Sequence, residues 1–532
     1  MRMTRLLPLA VLATVALFGA GPVFYPDDPL IKEPAPLDVG KVLSRKLSDF
    51  YDFLQNDFAR PGRHDKHTSA QGVNTLGEPM DGAWYTHRHY FHPMSLEALK
   101  LGPDGRTPPA AAGTWTVIKA KSEGVTPGFT IVDQDKRVYF LKFDPLTNPE
   151  MATAADVIVA RVFYALGYHV PDNYIVYFDE SRLVLGNDVM LADKLGYKHK
   201  MTRRDLLEIL LNVPKDSQGR YRAIASRAVE GKPIGPFRYH GLRQDDPNDI
   251  VPHQQRRDLR GLRVFCAWLN HEDSRAVNTL DTVVDDGGRH YIRHYLMDFG
   301  STLGSASTKA NPPRSGHEYL FSWRTSARHF FTLGLDLPAW ARVHYPDLPS
   351  VGRFEASAFN PETWVPEYPN PAFEQCDAAD AFWAAKQVMA FTDEQLRALV
   401  STGQYSDPKA ESYVSRVLAE RRDRVGRAYL EKVLPLDNFA VRGDRLVFED
   451  LGLRHGTVKE RALKIAWSNF DNASSHSTPI PGANGFEVPA APGGTGYYVA
   501  EIMQTGDKRR MVKVYVRRTD ATLSVAGIDR SW

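Results

Sequence analysis

From residue 113 onward the chain alternates apolar and polar positions at the period of a β-strand. Residues 115–121 read WTVIKAK, and two more strand patterns follow at 129–133 and 138–143, joined by a polar turn at 134–137. Between the first two, the run Ser-Glu-Gly-Val-Thr-Pro-Gly at 122–128 predicts a turn. The period then changes. Over 148–167 Pro149 suits a first helical turn and Gly167 a C-terminal stop, while Val159, Val162, Phe163 and Leu166 fall on one helical face. Residues 173–178 return to a strand pattern. Residues 179–260 read as mixed connecting structure. Helical spacing reappears at 256–270, with a stripe through Leu259, Leu262, Val264, Phe265 and Trp268, and again at 377–390, 392–402 and 410–434. After Pro435 the pattern is β-like, and 497–503 and 511–518 predict a hairpin around Thr505-Gly-Asp507.

The N-terminal part has a different texture. Arg2 and Arg5 precede an apolar run from Leu6 to Phe24, the pattern of a secretory signal or an uncleaved anchor, long enough to span a bilayer at the margin. Residues 25–112 are rich in Pro, Asp and His and predict an irregular extension with a helix at 42–58. The pattern therefore divides the chain into a signal or anchor (1–24), an N-terminal extension (25–112), a small strand-rich unit (113–178), a connecting and helical unit (179–436) and a β-rich C-terminal domain (437–532). An exported protein is expected: periplasmic, secreted or membrane-anchored, touching a membrane only through its N-terminal segment.

Composition narrows the function classes. The 532 residues carry 66 Lys+Arg against 64 Asp+Glu, a balance that excludes a strongly basic nucleic-acid binder, so no nucleic-acid partner is expected. Hydrophobic residues are 43% and charged residues 24%, ordinary globular usage. The two cysteines, Cys266 and Cys376, are too far apart in sequence for a cysteine-based zinc motif.

Three separated elements carry candidate chemistry. Ser122, Gly124 and Gly128 lie in the turn between two strands, where glycines let backbone N–H groups approach phosphates, and Lys142 on the third strand can reach the same phosphates as a point charge. Next, Asn270-His-Glu-Asp-Ser-Arg-Ala-Val-Asn278 places Asp273 and Asn278 at the D-x-x-x-x-N spacing of a kinase catalytic loop, with Arg275 between them. There the acid orients or deprotonates an attacking hydroxyl, Arg275 faces the transferring phosphate and Asn278 holds a metal ion. Last, Met297-Asp-Phe-Gly300 follows the strand-like stretch 290–296, and an aspartate after an apolar strand and before Phe-Gly is the kinase metal-binding signature. The three occur in kinase order.

On these motifs the stretch from Trp115 to Gly304 resembles an atypical kinase of the HipA-like and phosphatidylinositol-kinase-like type. The resemblance implies an α+β, two-lobed protein-kinase-like fold with ATP between the lobes. It also implies Lys142 on the nucleotide phosphates, Asp273 as catalytic acid or base, and Asn278 and Asp298 as ligands of Mg²⁺ or Mn²⁺. The lysine needs an acidic partner from the helix at 148–167, for which Asp156 and Glu150 are the candidates. The sequence departs from the protein-kinase pattern in lacking a full G-x-G-x-x-G, in having Asn270-His-Glu before the acid, and in having no A-P-E after Gly300. The expected activity is an exported ATP-dependent phosphotransferase acting on a protein, sugar or lipid acceptor. A pseudokinase-type binding module of the cell envelope and nucleotidyl transfer (AMPylation) on the same fold are the alternatives.

Overall fold

A computed structural model describes residues 21–532 except 62–67, 104, 121–126, 193–196, 323–329, 332–336 and 491–494. Among the described residues no helix is long and apolar enough to cross a membrane; residues 1–20 lie outside them. The architecture is mixed α+β.

The extension opens with α1 (Asp49–Leu54), continued by a π-turn at Gln55–Ala59, and holds α2 (Leu96–Leu101), whose N-terminus is capped by the Ser95 hydroxyl. The expected helix at 42–58 is shorter because residues before 48 are drawn out along the body. Arg45 N–H donates to the Ile234 carbonyl at 2.7 Å and Leu43 N–H to Asp245 at 2.8 Å, which leaves no intrahelical ladder there.

The strands β1 (Trp115–Ala120), β2 (Gly128–Val132), β3 (Val138–Lys142), β4 (Asn173–Phe178), β5 (Leu183–Leu185) and β6 (Tyr221–Arg227) form one sheet in the order β4-β6-β3-β2-β1-β5, with β1 and β5 parallel and the other pairs antiparallel. One face buries Val117, Phe129, Ile131 and Leu141 against Leu206 and Leu210 of α4 (Arg203–Leu210). The crossing helix α3 (Met151–Ala165) was expected to bury a single stripe. It is buried nearly all round, Tyr164 being its one residue not buried, because it is wedged between β4 and β6, α2 and the helical body. Its start is fixed to the end of β3: Thr153 donates to Asp144 through its backbone N–H (2.9 Å) and its hydroxyl (2.6 Å), and Arg222 Nε donates to that hydroxyl oxygen at 2.9 Å.

The helical body is α5 (Arg257–Leu269), α6 (Ala378–Met389), α7 (Asp393–Ser401) and α8 (Pro408–Leu430), packed with α3 around Trp268, Phe265, Trp383 and Leu418. Both cysteines are unpaired, and Cys266 is fully buried in α5. A three-stranded sheet, β7 (Lys232–Gly235), β8 (Thr279–Asp286) and β9 (Arg289–Leu296), stands beside this body.

The C-terminal part consists of the hairpin β10 (Leu436–Arg442) and β11 (Arg445–Asp450) with a five-stranded antiparallel sheet. That sheet is built from β12 (Leu463–Asp471), β13 (His476–Pro479), β14 (Gly496–Gln504), β15 (Asp507–Arg518) and β16 (Leu523–Arg530), in the order β13-β12-β14-β15-β16. It encloses a separate core around Trp467, Ile502 and Val514. Phe24 is buried on the outer face of this sheet, against Phe470, Tyr497 and Tyr515.

Candidate active site

A cleft of 660 Å³ opens between the six-stranded sheet with the start of α3 and the loops that follow α5 and β9, and Lys142, Asp156, Asp273, Arg275, Asp298 and Glu367 are on its wall. Each arrives on a different local device. Lys142 is the last residue of β3, paired across the sheet with Gly128 and Ile224. Asp298 follows β9 in a left-handed conformation (φ 60°), a strained position for a non-glycine residue. The strain is held by its neighbour. Phe299 is fully buried, stacks on Phe163 of α3 with centroids 5.1 Å apart, and meets the His271 ring edge-on at 5.9 Å. The β8–β9 hairpin pairs Thr279 with Leu296, so the residues just outside it, Asn278 and Met297, lie side by side and share a backbone hydrogen bond of 3.0 Å. In this way the strand pairing brings the catalytic-loop motif next to Asp298.

The ammonium of Lys142 sits 2.7 Å from Asp298 Oδ1 and 3.5 Å from Asp156 Oδ2. Burial would pull its pKa down. The two carboxylates, Asp298 first, outweigh that and hold it above the ordinary lysine range. Asp156 is 2% exposed, and burial pushes its pKa up to about 6 against the attraction of Lys142. Its other oxygen accepts from Asn173 Nδ2 at 2.8 Å, and the backbone N–H of Phe299 also points to it. Asp156 therefore ties α3, β3 and the Asp298 turn together.

In the loop at 270–278, burial pushes the Asp273 carboxyl up to about 7, opposed by Arg275 and aided by Asp298 and Glu367. Arg275 lies against the Asp273 carboxylate and also pairs with Glu367 (2.5 Å) and with Asp49 of α1 (2.6 Å). Asn278 directs its amide nitrogen to the Asp273 carbonyl at 2.7 Å and is not one of the residues lining the cleft.

Two expected roles are corrected, and two residues fall outside the description. Glu150 is not the partner of Lys142. It is the left-handed N-cap of α3, and its carboxylate accepts from Ser406 N–H at 2.9 Å, whereas Asp156, further along the helix, faces the lysine. Gly128 was expected in the turn; it opens β2, in register with Lys142 of β3. Ser122 and Gly124 lie outside the described residues. The reading of motifs missed Glu367, Asp49 and Asn173. None has a fixed spacing to the motifs it serves, and only tertiary contact reveals it.

The donor types suit a hard divalent cation: a carboxylate at Asp298, on the cleft wall, and an amide oxygen at Asn278, which does not line it. Among the described residues no group of three or more His, Cys, Asp and Glu side chains is arranged to hold a metal. A cation there would complete its shell with ligand phosphates and water, the usual habit of Mg²⁺ at nucleotide sites.

No family model and no curated protein matches the chain. Among solved structures, the crystal structure of the Golgi casein kinase is 12% identical over 74% of this chain and 94% of its own, with a TM-score of 0.28. The crystal structure of the Golgi casein kinase with Mn/ADP bound is 9% identical over 60% of this chain and 73% of its own, with a TM-score of 0.27.

Proposed function

We propose that this chain is an exported, ATP-dependent phosphotransferase with a two-lobed, protein-kinase-like arrangement, the six-stranded sheet and α3 forming one lobe and the helical body the other. The observation that carries the reading is the meeting of Lys142, Asp156 and Asp298 within one ion-paired cluster, in the same cleft as Asp273 and Arg275. Phosphoryl transfer asks a protein mainly for positioning and charge neutralisation. Besides Lys142 and Arg275, Lys309, Arg314 and Arg353 line the cleft and could meet the oxygens of a triphosphate, set among the carboxylates of Asp156, Glu272, Asp273, Asp298 and Glu367.

In this reading Lys142 binds the nucleotide phosphates and Asp156 holds its ammonium in place. Asp298 and Asn278 would hold Mg²⁺ or Mn²⁺, which supplies further neutralisation of the phosphate charge. Asp273 accepts the proton of an acceptor hydroxyl. The acceptor oxygen forms a bond to the γ-phosphorus as the bond from that phosphorus to the bridging oxygen breaks, and a nucleoside diphosphate leaves. Arg275, beside Asp273, faces the charge on the transferring group.

The test uses the full chain with labelled ATP and Mn²⁺. Wild type is expected to gain thermal stability from nucleotide plus metal and to transfer label, while Asp298→Ala loses transfer by at least about 10²-fold. Identical behaviour of the two proteins overturns the assignment. Stabilisation by nucleotide with no transfer in wild type would point to a binding module, and an AMP adduct on the product to nucleotidyl transfer.

A further inference from the structure

The catalytic loop is gripped by two segments that no motif marks. The first is 364–370. Trp364 Nε1 donates to Asn270 Oδ1 at 3.0 Å, Glu367 N–H to the Glu272 carbonyl at 3.0 Å, and Asn370 Nδ2 to the Ser274 carbonyl at 3.2 Å. The Glu367 carboxylate then takes one edge of the Arg275 guanidinium. The second is α1 of the N-terminal extension. Its Asp49 takes another edge of Arg275, and its buried Asp52 accepts from Tyr368 OH at 2.9 Å and from the backbone N–H of Ala276. Tyr368 also places its ring 5.7 Å from the Arg275 guanidinium, and Phe53 packs edge-on against that ring at 5.6 Å.

Arg275 thus has three carboxylates around it, of which only Asp273 belongs to its own loop. A free arginine side chain surrenders much rotamer freedom when fixed in one pose, so an arginine that must meet a charge at a set point benefits from a pre-formed bracket. Asp49 is not on the wall of the cleft, so it cannot act by touching a ligand there.

We infer that Asp49 and Glu367 are positioning residues, holding the Arg275 guanidinium and the catalytic loop in their working pose, so that the N-terminal extension is a structural part of the phosphotransfer apparatus. This rests on the functional reading above for what the pose is used for, but the bracket itself is open to an independent measurement.

The experiment compares full-length wild type, Asp49→Asn, Asp49→Glu and Glu367→Gln by ATP turnover with Mn²⁺ and by hydrogen exchange of the peptide covering 270–278. Asp49→Asn removes one half-exposed ion pair and is expected to fold normally. Its expected signature is a fall in kcat of about tenfold with KM for ATP within about twofold, restored in large part by Asp49→Glu. Exchange of loop amides is expected to rise several-fold in both Asp49→Asn and Glu367→Gln while that of α5 is unchanged. Unchanged loop exchange, or a kcat for Asp49→Asn equal to or above wild type, overturns the inference. A wild type that neither binds nor turns over ATP overturns the functional reading instead, and the exchange data still judge the bracket.

Discussion

At the scale of single residues, Asp156 and Asp273 show how one force serves two purposes. Burial pushes both carboxyls up, Asp156 to about 6 and Asp273 to about 7, but Asp156 has an ammonium at 3.5 Å and a buried amide at 2.8 Å to hold it in one pose. Asp273 shares Arg275 with two other carboxylates. A group that titrates near neutrality in the free protein suits proton transfer, because it is basic enough to take a proton and still largely ionised above that pH. The sign follows directly. If Asp273 is the base, it works when deprotonated, so kcat/KM, which reports the free enzyme, is expected to rise through pH 6–8 and level off above. Asp273→Asn is expected to lose about 10²- to 10⁴-fold and to lose that rising limb. A flat profile in wild type, or the same limb in the variant's residual activity, would contradict the role.

At the scale of elements, the apolar and polar spacing was enough to find β4 at Asn173–Phe178, and α5 and α6 to within a residue or so at their ends. It placed Lys142, Asp273 and Asp298 in the right local settings, since motif spacing is itself local. Contacts that close over long sequence distances were invisible to it: α3 buried on nearly every side, Asp49 reaching Arg275, and Glu367 reaching both the Glu272 backbone and Arg275. Arg421 of α8 is a further case. The charged run Glu420-Arg-Arg-Asp-Arg424 reads as a solvated helix face, yet Arg421 is 4% exposed and its guanidinium lies 3.6 Å from the Phe359 ring centroid. It donates to the carbonyls of Trp268 (2.8 Å), Ala267 (2.5 Å) and Glu355 (2.7 Å), closing the C-terminal end of α5 directly before the loop at 270–278. Desolvation lowers its pKa to about 9, which still leaves it charged at neutral pH. Arg421→Met keeps the stem but strands the Trp268 and Glu355 carbonyls, the Ala267 carbonyl keeping its bond from Asn270 N–H, and a loss of about 3 kcal/mol is expected in urea unfolding. A change below about 1 kcal/mol would mean that water or a shifted turn satisfies the helix end.

At the scale of the whole molecule, the extension and the C-terminal sheet act as ties across the body. Lys386 of α6 is buried between Glu78 of the extension and Asp437 of β10, with Arg530 of β16 on the other oxygen of Asp437 at 2.9 Å. His169 makes a second tie. Its Nε2 bonds the Gly82 carbonyl at 3.1 Å, and its own carbonyl accepts from Leu296, the last residue of β9, two residues before Asp298. Burial, with Arg88 and Arg293 nearby, depresses the imidazole to about 3 against an ordinary value near 6.5. A depressed histidine contributes stability that is fully present above its unfolded pKa and is lost as pH falls, because below 6.5 the unfolded chain takes up a proton that the folded one refuses. The loss stops growing near pH 3. Asp156 and Asp273, both raised, respond in the opposite sense over pH 4–7, so the total curve mixes the two. The difference between wild type and a variant isolates one group. His169→Gln keeps a donor for Gly82 and removes the titration. Relative to wild type, it is therefore expected to gain up to about 3 kcal/mol between pH 7 and pH 4. Parallel stability curves for the two proteins over that range would show that His169 takes up its proton in the folded state as easily as in the unfolded chain, and that this joint between the extension and β9 is open to water.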